Sequence, residues 1–324
     1  IMQGRSFIAA ALFTCGILSA TAAVAAPPAD SGEVLYRVRP GDTLADLSAR
    51  AFIRPSDYKV VQARNAVRNP RLLPVGMTLK IPARLLRRQP IAAQVITMRG
   101  GVSVNGAQAQ PNMRIGEGSE IRTGPRSFAT IQLEDGSKLT VPSESRLQVV
   151  ALHRLVLTNA TIKRFLLANG RIETEVSPAK KGGDRFEVRT PISVAAVRGT
   201  NFRVSYTEAG SRGTTEVLHG HVAVSDDKNN VMLDAGRGVV VSPTALGTVQ
   251  ALLPAPQPTN MGEVQDSEIV RIQLTPVPGA SGYRAQLATD AAFIDLFAET
   301  ETANPVIEMS AVPNGSHFAR ISAL

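Results

Sequence analysis

The sequence predicts a mainly β, multidomain chain in which a small α+β module of βααβ order precedes an all-β sandwich or roll and a second, partial β-sandwich. Three observations predict it. Residues 186–206 contain two runs with period-2 alternation, Phe186 and Val188 against Glu187 and Arg189, and Phe202, Val204 and Tyr206 against Asn201, Arg203 and Ser205, which is the pattern of half-buried strands. Residues 36–82 read strand, helix, helix, strand within the span of one small module. The chain of 324 residues, 44% hydrophobic, is long enough for two or three domains with real cores.

Residues 1–25 come first. Arg5 precedes an apolar stretch from 7 to 18, and Ala23-Val24-Ala25 stands before Ala26-Pro27-Pro28, the layout of a secretory signal peptide with an A-x-A cleavage site. The expectation is an exported periplasmic or cell-envelope protein whose mature chain has no membrane span. An uncleaved anchor is the other reading of the same run, which reaches about the lower limit for spanning. Lipidation of Cys15 is disfavoured by the bulky Phe13 and Thr14 before it. Cys15 is the sole cysteine, so the rest of the chain forms no intramolecular disulfide and its stability rests on packing.

Residues 34–83 form the first expected domain. Tyr36-Arg37-Val38-Arg39 alternates as a strand and Pro40-Gly41 turns. Asp42 or Thr43 caps a helix with Leu44, Leu47 and Ala51 on one face. A second helix starts at Asp57 and runs through Tyr58, Val61, Gln62 and Asn65, and residues 77–82 close the module as a strand. Both ends of this unit resemble a lysin motif (LysM) domain: Tyr36 to Leu44 its opening, Asn65 its mid-domain asparagine, Leu73-Pro74-Val75-Gly76-Met77-Thr78-Leu79-Lys80-Ile81-Pro82 its close. The resemblance implies a shallow groove for N-acetylglucosamine-containing glycan, commonly peptidoglycan. Carried over by position, Gly41, Asp42, Thr43 and Leu44 form one wall and Leu72, Leu73, Pro74 and Val75 the other. The plainer reading of Gly41 as a turn residue, and of Asp42 or Thr43 as a cap, stays open. Ala51-Phe52-Ile53-Arg54 departs from the family's usual small-residue turn.

Residues 84–94, with Arg84, Arg87, Arg88 and Pro90, read as a basic linker; a positive strap on acidic wall polymer is the sharper alternative. From 95 to 248 short apolar runs alternate with Gly and Pro punctuation, with Glu134-Asp135-Gly136-Ser137 as a hairpin turn, so a sandwich, roll or short β-helix is expected. Within 186–206, residues 192–197 are apolar almost throughout and read as a strand buried on both faces. Pro191 marks a junction and Gly199 a tight corner beside Arg198. The runs Arg189-Thr190-Pro191, Val197-Arg198-Gly199-Thr200-Asn201-Phe202-Arg203-Val204 and residues 215–224 resemble the signature of the FecR domain family. The resemblance implies a protein-interaction or signalling domain. Arg198 is read as spanning to Glu187 or a backbone carbonyl, with an anion site as the alternative. His219 and His221, two apart, are placed on one face of a strand, and two ligands make no tetrahedral metal site.

Residues 249–264 are Pro-rich and read as a linker. Residues 265–324 are similar to a fibronectin type III-like sandwich, with a first strand at 269–274, a turn and second strand within 278–290, Phe293 anchoring the following segment, and a turn and strand within 312–323. That fold would need one more strand after Leu324, so a truncated domain with an exposed edge is expected.

Charge narrows the function classes. Residues 33–88 hold 12 Lys+Arg against 4 Asp+Glu, and residues 265–324 hold 3 against 7. The leading module thus suits an anionic or wall polymer. In an exported chain that polymer is expected to be cell wall or anionic lipid rather than nucleic acid, since no aromatic-rich strand pattern for base stacking is present. No nucleophile elbow, metal cluster or second cysteine marks catalysis, and no cofactor, metal or catalytic residue is assigned. The sequence therefore predicts a non-catalytic bacterial envelope protein that binds peptidoglycan and presents the FecR-like domain to an envelope protein partner. The alternative is a FecR-type regulator acting with an outer-membrane receptor and a sigma factor, a role that needs a membrane-spanning segment.

Overall fold

A computed structural model of the chain describes residues 32–179, 183–260, 264 and 267–324. The signal peptide expected at 1–25 lies outside the described residues. The described residues are mainly β, and their helices lie between 44 and 85.

The leading module has the expected βααβ order. Strand Glu33–Arg37 lies antiparallel to Thr78–Pro82, from Glu33 opposite Pro82 to Arg37 opposite Thr78. Helix Leu44–Ala51 is capped by Thr43, whose hydroxyl accepts from the Asp46 amide, satisfying one orphan N–H of the first turn. It buries Leu44, Leu47 and Ala51, the face that the 3.6-residue period sets. A 3-10 turn, Pro55–Asp57, leads into helix Tyr58–Arg64. Asn65 stitches that helix to the closing strand: its amide nitrogen donates to the carbonyls of Val61 and Lys80, and its oxygen accepts from the Lys80 amide at 2.7 Å.

The stretch read as a basic linker is built into the fold instead. Phe52 forms an antiparallel bridge with Leu86, the Ile53 amide donates to Leu85, and the Arg87 amide donates to Ala51. Strand Arg88–Pro90 then pairs with His153–Leu155. Leu85 and Leu86 are buried in one apolar cluster with Phe52 and with Ala151, Leu155 and Ile162 of the next domain. Each buried leucine contributes about 1.5–3 kcal/mol. The arginines face water while the leucines between them fasten the two domains together. The unusual Ala51-Phe52-Ile53-Arg54 turn is the other half of this junction.

The β domain wraps two sheets around one core and closes as a barrel. Its central element is strand Thr161–Glu175, which belongs to both sheets. Ile162 to Leu166 run parallel to Arg185–Thr190, and Gly170 to Glu175 run antiparallel to Asn201–Thr207. The strand changes sheet at Gly170, where φ is +90° and a Cβ would lie 2.5 Å from the Cα of Ser145; only glycine fits there. Phe165, Phe186 and Phe202, from three different strands, pack in the core, the first pair tilted and the second edge to face.

Residues 186–206 behave as expected at their ends. Arg185–Thr190 and Asn201–Thr207 each alternate buried and half-buried positions. The middle strand, Ser193–Val197, is buried only at Ser193, Ala195 and Val197, so it has one inner face rather than two; small Ala196 needs no second core. Gly199, at φ +75°, passes 2.8 Å from the Cα of Pro178 by the same Cβ measure, which explains the tight corner. His219 ends strand Arg212–His219 and His221 opens strand His221–Ser225. Those strands lie in different sheets, so the two histidines do not share a strand face; the chain turns at Gly220 between them.

The C-terminal segment forms two small sheets, Ile269–Gln273 with Val306–Ser310, and Leu296–Thr302 with Tyr283–Ala288 and Phe318–Ala323. Leu274, Tyr283, Leu287, Ile307 and Met309 are buried between them. The Pro-rich stretch before it is tied at both ends: Gln250–Ala251 pairs with Arg237 and Gly238, and Pro258 bridges Leu274. This segment docks on the β domain through polar groups. Arg99 grips Asp295 with two hydrogen bonds of 3.0 and 2.7 Å, the hydroxyls of Thr97 and Thr130 donate to the Ile294 carbonyl, and Glu173 receives Arg320 and Gln286.

Candidate glycan-binding groove

The two loops singled out in the leading module meet in space. The Leu44 amide donates to the Pro70 carbonyl at 2.9 Å, the Gly76 amide to Val38, and the Val38 amide to Met77. Four of the eight predicted residues face solvent: Gly41, Leu72, Pro74 and Val75. Leu72 and Val75 are 72% and 65% exposed, unusual for aliphatic side chains that lie only three residues apart on one loop. Leu44 and Leu73 point inward and belong to the core.

Asp42 and Thr43 are occupied by the fold. The Asp42 carboxylate accepts from the Tyr36 hydroxyl at 2.7 Å, the Arg39 amide at 2.8 Å and the Arg50 guanidinium at 2.7 Å. Burial alone would raise its pKa, but these hydrogen bonds outweigh burial and hold it below the usual carboxylate range. Burial, together with the bond to Asp42, pushes the Tyr36 phenol up. The three side chains make a clamp at the base of the first wall, and Thr43 is the helix cap. The sequence offers Asp42 as either a wall residue or a helix cap, and carries no local signal that Arg50 is its partner. Tyr36 and Arg50 stand six and eight residues from Asp42, so no local period links the three.

Of the eight residues, the exposed ones thus offer the aliphatic side chains of Leu72 and Val75 on one loop and the backbone of Gly41 on the other.

A concavity of about 350 Å³ lies in the β domain, lined by the turn at Arg198 and Gly199 and the hairpin at Glu134 and Asp135. Its floor is apolar: Ile91, Val176, Phe186 and Val197. Among its charged walls, Lys163 is bound to Asp135, Asp184 accepts from the amide and hydroxyl of Thr161, and Arg185 donates to the Glu33 carbonyl. Glu187 pairs with Arg164 at 2.8 Å and Arg189 at 3.0 Å. Arg198 reaches neither Glu187 nor a backbone carbonyl, the two partners expected for it: it is exposed, Glu187 is held by Arg164 and Arg189, and no described residue bonds to it.

Residues 36–82 match the family model described as LysM domain, and residues 119–223 match the one described as FecR protein. The chain carries a LysM domain and a FecR domain. The LysM match takes in both walls of the groove. The FecR match starts and stops inside the larger β domain and includes both halves of strand Thr161–Glu175. Among solved structures, two crystal structures of a protein described as an anti-sigma factor candidate from Parabacteroides distasonis, at 2.50 and 1.65 Å resolution, are 19% identical to this chain. They align over 40% of it with TM-scores of 0.33 and 0.34. The alignment spans 57% of the length of those chains. No curated protein matches the chain.

No helix of the described residues is long and apolar enough to cross a membrane, and no group of three or more His, Cys, Asp or Glu able to hold a metal occurs among them. His221 pairs with Asp234 at 2.8 Å on the surface.

Proposed function

We propose that this is a non-catalytic protein of the cell envelope, in which the LysM domain binds N-acetylglucosamine-containing glycan, commonly peptidoglycan, and the FecR domain offers a protein-binding surface. The exposed aliphatic pair Leu72 and Val75 on the loop before the closing strand is the observation that carries the glycan reading. The LysM match and the excess of basic residues in 33–88 support it. Export rests on the layout of residues 1–25, and a fibronectin type III-like identity for 265–324 rests on its strand pattern and its two facing sheets. The second reading, a FecR-type regulator of signalling, draws on the FecR match itself and would use the same protein-binding domain.

Co-sedimentation with purified sacculi tests the first reading. The full chain is retained, and the double substitution Leu72→Ser with Val75→Ser lowers retention at least about tenfold, the equivalent of 1.4 kcal/mol. Substitution at such exposed positions changes stability by only about 0.5 kcal/mol, so lost binding would not report unfolding. Equal retention of the variant would count against the groove.

A further inference from the structure

We propose that the cleft at Arg198 receives the C-terminal residue of a partner polypeptide, its carboxylate on the Arg198 guanidinium and its apolar side chain on the floor of Ile91, Val176, Phe186 and Val197. This rests on the reading of the FecR domain as a protein-binding domain and names the surface and the chemistry it uses.

Three features define the occupant. The volume, about 350 Å³, lies at the small end of the range for ligand sites, so it takes one or two residues rather than a long segment. The floor is made of side chains that are themselves buried, so an apolar group entering it displaces water from a surface already shaped by the core. The walls hold both signs of charge, yet three carboxylates, Glu134, Asp135 and Asp184, already have partners: Arg154 at 3.5 Å, Lys163, and the Thr161 amide and hydroxyl. Arg198 is the cleft cation that no described residue engages, so the complementary charge is negative. A guanidinium receives a carboxylate through two parallel N–H···O bonds. A chain terminus carries a carboxylate and a side chain on one residue, which matches a site where cation and apolar floor adjoin. Position is fixed as well. Gly199 holds the turn against Pro178, where no side chain fits, and this sets where Arg198 leaves the sheet.

The test uses the full chain and two probes, acetyl-Gly-Gly-Ala-Leu with a free C-terminal carboxylate and the same peptide as its amide, titrated calorimetrically. The acid binds at least about tenfold more tightly than the amide. Arg198→Ala, an exposed substitution, removes that preference, and Arg198→Lys restores only part of it, since an ammonium lacks the planar fork. Equal binding of acid and amide, an unchanged preference in Arg198→Ala, or no saturable binding of either peptide at millimolar concentration each overturns the proposal. The broader interaction reading is judged apart from these results, by whether envelope proteins still crosslink to the full-length Arg198→Ala variant.

Discussion

Truncating one leucine in the FecR domain should loosen the LysM domain. Leu155 ends strand Arg146–Leu155, pairs in register with Arg88 and is 1% exposed. Its side chain lies in the cluster that also holds Phe52, Leu85 and Leu86, and not in the main core of its own barrel. Leu155→Ala removes buried methyl groups and leaves a cavity, a change that costs about 2–5 kcal/mol in well-packed sites. If the two domains unfold as one unit near this junction, an opening equilibrium in the LysM domain shifts by roughly 30- to several-thousand-fold, at tenfold per 1.4 kcal/mol. Hydrogen exchange read by mass spectrometry on peptides covering Leu44–Ala51 and Thr78–Pro82 measures that shift directly. Leu287→Ala, in the separate C-terminal core, is the control and leaves those peptides unchanged. Wild-type exchange in the LysM peptides of Leu155→Ala, with loosening confined to the FecR strands, would refute the shared core and make the LysM domain an independent bead.

Three further outcomes follow from the geometry. Gly170→Ala places a methyl group against the Ser145 backbone at positive φ and should destabilise the FecR domain by at least about 2 kcal/mol, read from the urea midpoint at constant slope. Asp42→Ala leaves the Tyr36 hydroxyl and Arg39 amide without their acceptor and should cost about 1–3 kcal/mol, visible as faster exchange in helix Leu44–Ala51. Glu173→Gln should weaken docking of the C-terminal segment by an amount between the 0.2–1 kcal/mol or so of an exposed pair and the 3–5 kcal/mol or so of a buried one, since Glu173 is 16% exposed and faces both Arg320 and Arg203. Burial raises the pKa of Glu173, but the charges of Arg320 and Arg203 outweigh it and bring it below the usual value. The stabilisation is therefore complete above the unfolded glutamate pKa of about 4.3 and is lost as pH falls through the lower folded value. Small-angle scattering should show the chain expanding over that acid range in the wild type, and already at neutral pH in the variant.

Local patterns were readable in the sequence wherever one period held. The helix face of Leu44, Leu47 and Ala51, the closing strand and the alternation at 186–190 and 201–206 depend on neighbours a few residues away. The strand Thr161–Glu175 was not legible, because Lys163 and Arg164 interrupt its apolar run and Ala168-Asn169-Gly170 reads as a break. Both cations are buried only because Asp135 and Glu187 arrive from distant hairpins, and Gly170 is a crossing between sheets. Residues 84–94 were misjudged for a related reason. Counting arginines gave a solvated linker, whereas the burial of Leu85 and Leu86 depends on a surface that residues 151–162 supply. In the leading module, sequence position alone could not separate exposed Leu72 and Val75 from Asp42 and Thr43, whose side chains serve the fold.

Hydrogen exchange of the full chain with and without a soluble N-acetylglucosamine tetramer tests glycan capture most directly. The account predicts slowed exchange in peptides covering 41–44 and 72–76, and none in the basic stretch 84–90. Protection centred on 84–90, or no change at either wall of the groove at saturating sugar, would contradict it.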